Sequence, residues 1–262
     1  MDFVTGEILI IDKPYRWTSF DAVKRIRGAI QRRLKVKKFK VGHAGTLDPL
    51  ATGILIVCTG RATKEIDRLQ AGEKEYIATL RLGATTPSYD LETEIDAEYP
   101  TDHITAENAG KILERFRGRI MQVPPIFSAV KIDGKRAYKY ARKGTDIELK
   151  AKPLEITELE LLQFKPGKTS YLEENSEFPC MTIRVVCSKG TYIRALARDI
   201  GEALGSGAHL TALRRTRVGN FTEKDAVSID RALEIIDTTE IPVTQDTKDK
   251  TIDSPYQQNN SK

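Results

Sequence analysis

One segment of this 262-residue chain concentrates groups suited to chemistry: Gly42-His43-Ala44-Gly45-Thr46-Leu47-Asp48-Pro49-Leu50-Ala51-Thr52-Gly53. The proline biases Asp48 toward extended backbone, and the flanking glycines permit close approach of a ligand. A carboxylate held in this way can act as a nucleophile. Asp-Pro also opens ordinary turns, so the segment alone leaves both readings open. Other catalytic material is sparse. The three histidines, His43, His103 and His209, are scattered and offer little for a histidine-centred triad. No Gly-x-x-x-x-Gly-Lys-Ser/Thr, Gly-x-Gly-x-x-Gly or His-Glu-x-x-His occurs, so nucleotide hydrolysis, dinucleotide redox and zincin chemistry lack their usual supports. Cys58, Cys180 and Cys187 show no Cys-x-x-Cys spacing and read as reduced thiols, with neither a disulfide framework nor a metal site expected. Chemistry without metal or organic cofactor is what remains.

The elements that must position Asp48 follow from periodicity. Thr18-Ser19-Phe20-Asp21 has the form of a helix N-cap with an acid at N3, and Val23, Ile26, Ile30 and Leu34 continue at helical spacing. Ile54 to Cys58 reads as a buried strand, Ala62 to Leu69 as a helix closed by Gly72, and Tyr76 to Leu82 as an alternating strand ending at Gly83. Thr105 caps a helix through Phe116, and Lys135 to Lys143 reads as a short helix stopped by Gly144. Strands are expected at Leu154 to Phe164, Met181 to Cys187 and Leu210 to Phe221. Helices are expected from Ile193 to Leu204 and from Ala226 to Ile236. In the first of these, Arg194 and Arg198 lie off the apolar face, where an arginine can point into a cleft. Strands and helices mix without regular βαβ alternation, which predicts an α+β fold around one mixed sheet. Beyond Asp237 apolar periodicity is lost, so residues 237–262 read as a polar disordered tail behind a single domain over 1–236.

Composition excludes fibrous and membrane-spanning classes. Hydrophobic residues make up 40% and charged residues 30% of the chain, with no heptad or glycine repeat. The apolar runs Ile8 to Ile11 and Ile54 to Cys58 fall far short of the roughly 20 residues a membrane span needs. No secretory signal is visible at the start, and a cytoplasmic location is expected. The net charge of +5 is mild, but its distribution is not. Nine cations and no acid lie between Ala22 and His43, a second basic run spans Lys131 to Lys143, and Arg214, Arg215 and Arg217 form a third. Acids concentrate from Asp90 to Asp102. The basic segments could therefore form one face against phosphates, although each by itself also fits a solvated surface.

The segment His43 to Gly53 resembles the TruB family of tRNA pseudouridine synthases. So do Asp12-Lys13-Pro14, Thr18-Ser19, Gly60-Arg61-Ala62-Thr63-Lys64 and Lys74-Glu75-Tyr76. Further matches run in the family's order: Gln122 to Lys131, Cys187-Ser188-Lys189-Gly190-Thr191-Tyr192-Ile193-Arg194, Gly207-Ala208-His209-Leu210 and Leu213-Arg214-Arg215. The resemblance covers roughly residues 6 to 221. It implies the pseudouridine synthase fold, a mixed, mainly antiparallel sheet flanked by helices and loops. It also implies an isomerase that converts the uridine at position 55 in the T-loop of tRNA to pseudouridine without a cofactor.

By resemblance Asp48 is the catalytic carboxylate and Arg194 its matching arginine, whose guanidinium would stabilise the negative charge. Tyr76 matches the tyrosine that stacks on the flipped base, Tyr192 and Leu213 match other pocket positions, and His43 matches a histidine that helps displace the uridine. Lys13 is expected to touch phosphate or position loops rather than to catalyse. Residues 124–144 are the candidate thumb closing over the T-arm, and a monomer is expected. Arg16 stands where the family usually has glycine, which questions whether that turn keeps a positive φ or gains a phosphate contact instead. A full C-terminal PUA-like domain has no room after Ile236, which points to the stand-alone bacterial type rather than to guide-RNA relatives. Two other readings share these residues: a tRNA-binding folding chaperone without essential catalysis, and the same chemistry on another RNA.

Overall fold

The computed structural model describes residues 1–167 and 178–240, apart from 129, 133, 138–139, 141–144, 146 and 148. In chain order the elements are β1 (Ile8–Lys13), α1 (Ser19–Leu34), β2 (Val41–His43), β3 (Ala51–Thr59), α2 (Ile66–Ala71), β4 (Lys74–Leu82), β5 (Ala84–Thr85), β6 (Ala97–Glu98), α3 (Ala106–Glu114) and β7 (Gly118–Gln122). They continue with β8 (Lys131–Ile132), β9 (Lys135–Arg136), β10 (Lys152–Lys165), β11 (Cys180–Cys187), α4 (Ile193–Ala203), β12 (Ala208–Val218), β13 (Phe221–Thr222), β14 (Val227–Ser228) and α5 (Ile229–Thr238).

A single ten-stranded sheet runs in the order β14, β1, β3, β12, β4, β11, β10, β7, with β2 on β3 and β13 on β12. Only the β1/β14 and β3/β12 pairs are parallel; the rest are antiparallel, as the α+β expectation required. The sheet is buried on both faces at β3, which explains its unbroken apolar run. Leu55 and Val57 pack with Ile26 and Ile30 of α1 and Ile236 of α5. Ile54, Ile56 and Cys58 turn the other way, toward Leu69 of α2 and Val218. On the far half of the sheet Leu113 of α3 and Leu196 and Ile200 of α4 join Leu80, Ile183 and Leu210.

Local signals set the ends of α1. The Thr18 hydroxyl accepts from the Asp21 N–H at 3.0 Å, and the Asp21 carboxylate accepts from the Thr18 N–H at 3.0 Å. Several expectations need correction. The helix read from Ala62 begins as a 3₁₀ turn, Gly60–Glu65, before α2. The strand read through Phe221 stops at Val218, where Gly219 (φ 55°) reverses the chain into β13. The last helix starts at Ile229 rather than Ala226, because Val227 and Ser228 pair with β1 and the Ser228 hydroxyl then caps α5. That helix also runs to Thr238, into the start of the expected tail. Strands β1 and β7 were not read from the sequence. The expected helix over Lys135–Lys143 does not begin at Lys135, because Lys135 and Arg136 form β9 and pair with β8 as a short hairpin; its residues 138–139 and 141–143 lie outside the described residues, as do 129, 133 and 144 of the thumb, 124–144. Most of the tail, 241–262, lies outside them as well.

The charge map also changes. Lys24, Arg25, Arg32, Lys35, Lys37, Lys38 and Lys40 are exposed, as expected for a basic face. The third basic run is not free for phosphate. Arg214 pairs with Asp12 at 3.0 Å and Glu223 at 2.5 Å, Arg217 faces Glu75 at 3.8 Å, and Arg215 is only 1% exposed. Side chains of the second run, Lys131 to Lys143, lie outside the described set.

Candidate active site

The loop carrying Asp48 is fastened from three directions. Arg215, on β12, donates through Nε to the Ile54 carbonyl at 2.8 Å, through Nη2 to Gly45 at 3.1 Å and through Nη1 to Thr46 at 3.4 Å. Ser19, at the start of α1, accepts from the Leu47 N–H at 2.8 Å and donates to its carbonyl at 3.1 Å. Lys13, fully buried, donates its ammonium protons to the carbonyls of Pro14, Trp17 and Pro49 at 2.9, 2.6 and 3.3 Å. Of the two roles expected for Lys13, loop positioning is the one its contacts fulfil. Burial pulls its pKa down to about 8, against the opposing attraction of Asp48. Gly53 has to be glycine for a steric reason. Its φ is 98°, and a Cβ would meet the Arg215 carbonyl oxygen at 2.2 Å, where β3 and β12 run together.

Arg194, in the first turn of α4, is the hub. Its Nε donates to Asp48 Oδ2 at 2.9 Å, Nη1 donates to the Ser88 carbonyl at 3.1 Å, and Nη2 donates to the Phe127 carbonyl at 2.9 Å. Asp90 Oδ2 lies 3.6 Å from the same Nε, almost as buried as the arginine itself. Burial opposes the guanidinium charge, but Asp48 and then Asp90 outweigh it, and its pKa is raised overall. Asp90 is fixed in turn by the Ser88 hydroxyl, which donates at 2.6 Å, and by the Glu92 N–H at 2.9 Å. Sequence reading grouped Asp90 with an acidic stretch running to Asp102; the structure places it against Arg194, beside the Asp48–Arg194 pair. A signal was available in Ser88-Tyr89-Asp90, since a serine two residues before an aspartate can close a local polar turn.

Asp48 opens on a cleft of about 460 Å³ whose lining includes Tyr76, Phe127, Tyr192, Arg194 and Leu213. That volume lies within the range of small-molecule sites. A second, smaller hollow of about 20 Å³ is also lined by Asp48 and Arg194, together with Asp90 and Leu210. Sheet register assembles the cleft wall. On β12, Leu213 sits beside Ala51 of β3 and Ala78 of β4, and Arg215 sits beside Tyr76. Burial pushes the Tyr76 and Tyr192 phenols up, so both are neutral at physiological pH. Tyr192 is set by Gln122, missed at the sequence level. The Gln122 amide donates to the Tyr192 carbonyl at 3.1 Å and accepts from its N–H at 2.9 Å.

Five of the six expected site residues thus meet at one cleft. His43 does not line it; it stands on β2, half-buried, two residues from Gly45, and among the described residues its Nδ1 has no hydrogen-bond partner. Burial, and then the Arg215 charge, lower its pKa, so the ring is neutral at pH 7. Burial also lowers the pKa of His209, which is 1% exposed. Both shifts have the same consequence for stability. Below the ordinary value of 6.5, unfolded imidazoles take up protons that the folded ones refuse, so stability falls with acidification. Urea unfolding at pH 5.5, 6.5 and 7.5 should show this loss, bounded by about 1.4 kcal/mol per pH unit per histidine. A His209→Gln variant should have a flatter profile; a wild-type profile flat across this interval contradicts the assignment.

Among the described residues no group of three or more His, Cys, Asp or Glu side chains could hold a metal ion, and no helix is long and apolar enough to cross a membrane.

Residues 31–193 match the family model described as TruB family pseudouridylate synthase (N terminal domain), and residues 194–242 match tRNA pseudouridylate synthase B C-terminal domain. The boundary between them falls between Ile193 and Arg194, inside α4, while β12 lies between β3 and β4; the two matched segments therefore share one sheet. The chain is 61% identical over 241 residues to a protein of Phocaeicola vulgatus named tRNA pseudouridine synthase B, covering 92% of this chain and 97% of that one. Proteins of the same name from Parabacteroides distasonis and Bacteroides thetaiotaomicron are 63% and 59% identical, over 85% and 94% of this chain and 89% and 99% of theirs. Among solved structures, a chain of a Cbf5-Nop10-Gar1 complex superposes with a TM-score of 0.64 at 28% identity, over 89% of this chain and 55% of that one. A chain of an H/ACA RNP bound to a substrate RNA containing 2'-deoxyuridine gives 0.60 at 25% identity, over 88% and 54%. This chain spans about half the length of those two.

Proposed function

The chain belongs to the TruB family of pseudouridylate synthases, and from that premise we propose that it isomerises the uridine at position 55 in the T-loop of tRNA to pseudouridine, with Asp48 as its catalytic carboxylate. The observation that carries the site assignment is the Asp48–Arg194 pair at the floor of a nucleoside-sized cleft. It is a tRNA pseudouridine synthase, an isomerase, by its similarity to the curated enzymes across nearly their whole length.

The reaction balances without a second substrate. The C1'–N1 bond of the uridine breaks, a C1'–C5 bond forms, N1 gains a proton and C5 loses one. The target base is stacked within a folded loop, so it must be extruded at a cost of a few kcal/mol. Tyr76 and Tyr192 supply aromatic surface that offsets part of that cost, and Leu213 excludes water beside the reacting carbon. Asp48 acts through its ionised form, whether toward the ribose or toward the base, and the Arg194 guanidinium holds that charge in place at 2.9 Å. His43 assists displacement of the uridine from the loop edge rather than from within the cleft. The exposed cations of α1 and of the segment after it attract the T-arm backbone. A monomer leaves that surface open, and the cytoplasm is where such a substrate is met.

The test is direct. Purified protein incubated with an unmodified tRNA transcript, with no added metal or nucleotide, should convert one T-loop uridine to pseudouridine, read by site-specific chemical mapping. Pseudouridine at a different position, or modification of ribosomal RNA alone, would replace this reading.

A further inference from the structure

Residues 14–17 form a β-turn closed by the Trp17 N–H donating to the Pro14 carbonyl at 3.4 Å. Its third position, Arg16, has φ 66°, while Tyr15 keeps a negative φ. That is the type II pattern, whose third residue is normally glycine because a Cβ is disfavoured there. The other non-glycine residues with positive φ among those described are Lys35, which occupies the C-cap of α1, and Tyr89, in the turn that carries Asp90. Arg16 has no such local reason. Its side chain is exposed and makes no hydrogen bond or ion pair among the described residues; the guanidinium only lies over the Tyr15 ring, 5.6 Å from its centroid. A glycine would serve the turn better, and no contact among the described residues accounts for the cation.

The turn stands beside the cleft. The residue before it, Lys13, holds Pro49, next to Asp48, and Ser19, three residues after Arg16, holds Leu47. Around it Tyr15 is 46% and Phe20 61% exposed, and Lys24 follows Phe20 by one helical turn. The two acids nearest in sequence are both engaged, Asp12 by Arg214 at 3.0 Å and Asp21 by the Thr18 cap. Exposed aromatics interleaved with unpaired cations suit a nucleic-acid backbone with bases that stack on flat side chains. We propose that Tyr15, Arg16 and Phe20 form a contact site for the RNA strand flanking the flipped uridine, in which Arg16 binds a phosphate and this chain accepts a strained turn residue to gain that contact.

This rests on the RNA-modifying reading above, and the experiment separates the two. T-arm binding is measured by filter retention across a salt series, and turnover by the modification assay, for wild type, Arg16→Gly, Arg16→Ala and Arg16→Lys. Arg16→Gly should unfold at higher urea concentration, because strain is relieved, yet bind the T-arm roughly three- to ten-fold more weakly. The loss should fall on KM rather than kcat, and the slope of log affinity against log salt should shrink by about one. Arg16→Ala should lose the same affinity without the gain in stability, and Arg16→Lys should keep most of the salt slope. Wild-type affinity and salt slope in Arg16→Gly overturn the contact while leaving the enzymatic reading intact. If the wild-type protein neither binds nor modifies the T-arm, the functional reading fails first.

Discussion

Asp48→Asn is expected to reduce pseudouridine formation by roughly 10⁴-fold, the scale seen when a group acting in bond making or proton transfer is removed. Binding of the tRNA should be nearly unchanged. Asparagine preserves the shape of the side chain and can still accept a hydrogen bond from Arg194 Nε, so the loop held by Arg215, Ser19 and Lys13 has no reason to move. What disappears is the negative charge and the basic oxygen that carries it. The decisive measurement pairs single-turnover rates on a T-arm transcript with binding of the same transcript. A variant that binds and turns over like the wild type removes Asp48 from the chemistry; a variant that fails to bind assigns it to recognition instead.

Arg194→Met should be damaging in two ways. The guanidinium is 5% exposed and bridges three segments: the Asp48 loop, the Ser88 turn and the bend at Phe127. Removing it leaves Asp48 and the buried Asp90 facing one another with no cation between them, and it leaves two carbonyls without donors. Breaking a buried pair from one side typically costs about 3–5 kcal/mol, so denaturant midpoints should fall markedly. Turnover should fall by at least about 10²-fold, in line with loss of a fixed electrostatic partner. Arg194→Lys separates the effects. Its single ammonium restores a positive charge beside the carboxylates but cannot address three acceptors at once, so stability should recover in part while turnover stays low. Full activity in Arg194→Lys reduces the requirement to charge alone. Full activity in Arg194→Met makes the pair structural.

The elements closest to local rules were the most legible. The reciprocal Thr18–Asp21 cap and the spacing of Val23, Ile26 and Ile30 define α1 within a few residues of chain. The alternation through Tyr76, Ala78, Leu80 and Leu82 does the same for β4, whose burial follows that alternation throughout. The short strands β7 and β14 escaped because two to five residues carry too little periodicity. The sequence also suggested three basic surfaces, yet Arg214, Arg215 and Arg217 turned inward or toward acids; charge runs state composition, not direction.

For this protein the sequence alone determined the family, the identity of the candidate carboxylate and the local frame of turn and helix that bears it, since those depend on neighbours a few positions apart. The tertiary structure decided what surrounds that carboxylate. Arg194 is 146 residues away from Asp48, and Arg215 reaches its loop from 170 residues away. Gln122 sets Tyr192 from 70 residues away, and Asp90 arrives by a turn of its own. Which of these side chains meet is set by the register of β12 between β3 and β4, and a shift of one residue would turn both Leu213 and Arg215 to the other face of the sheet. No short-range preference encodes that register; it follows from burying both faces of one sheet at once.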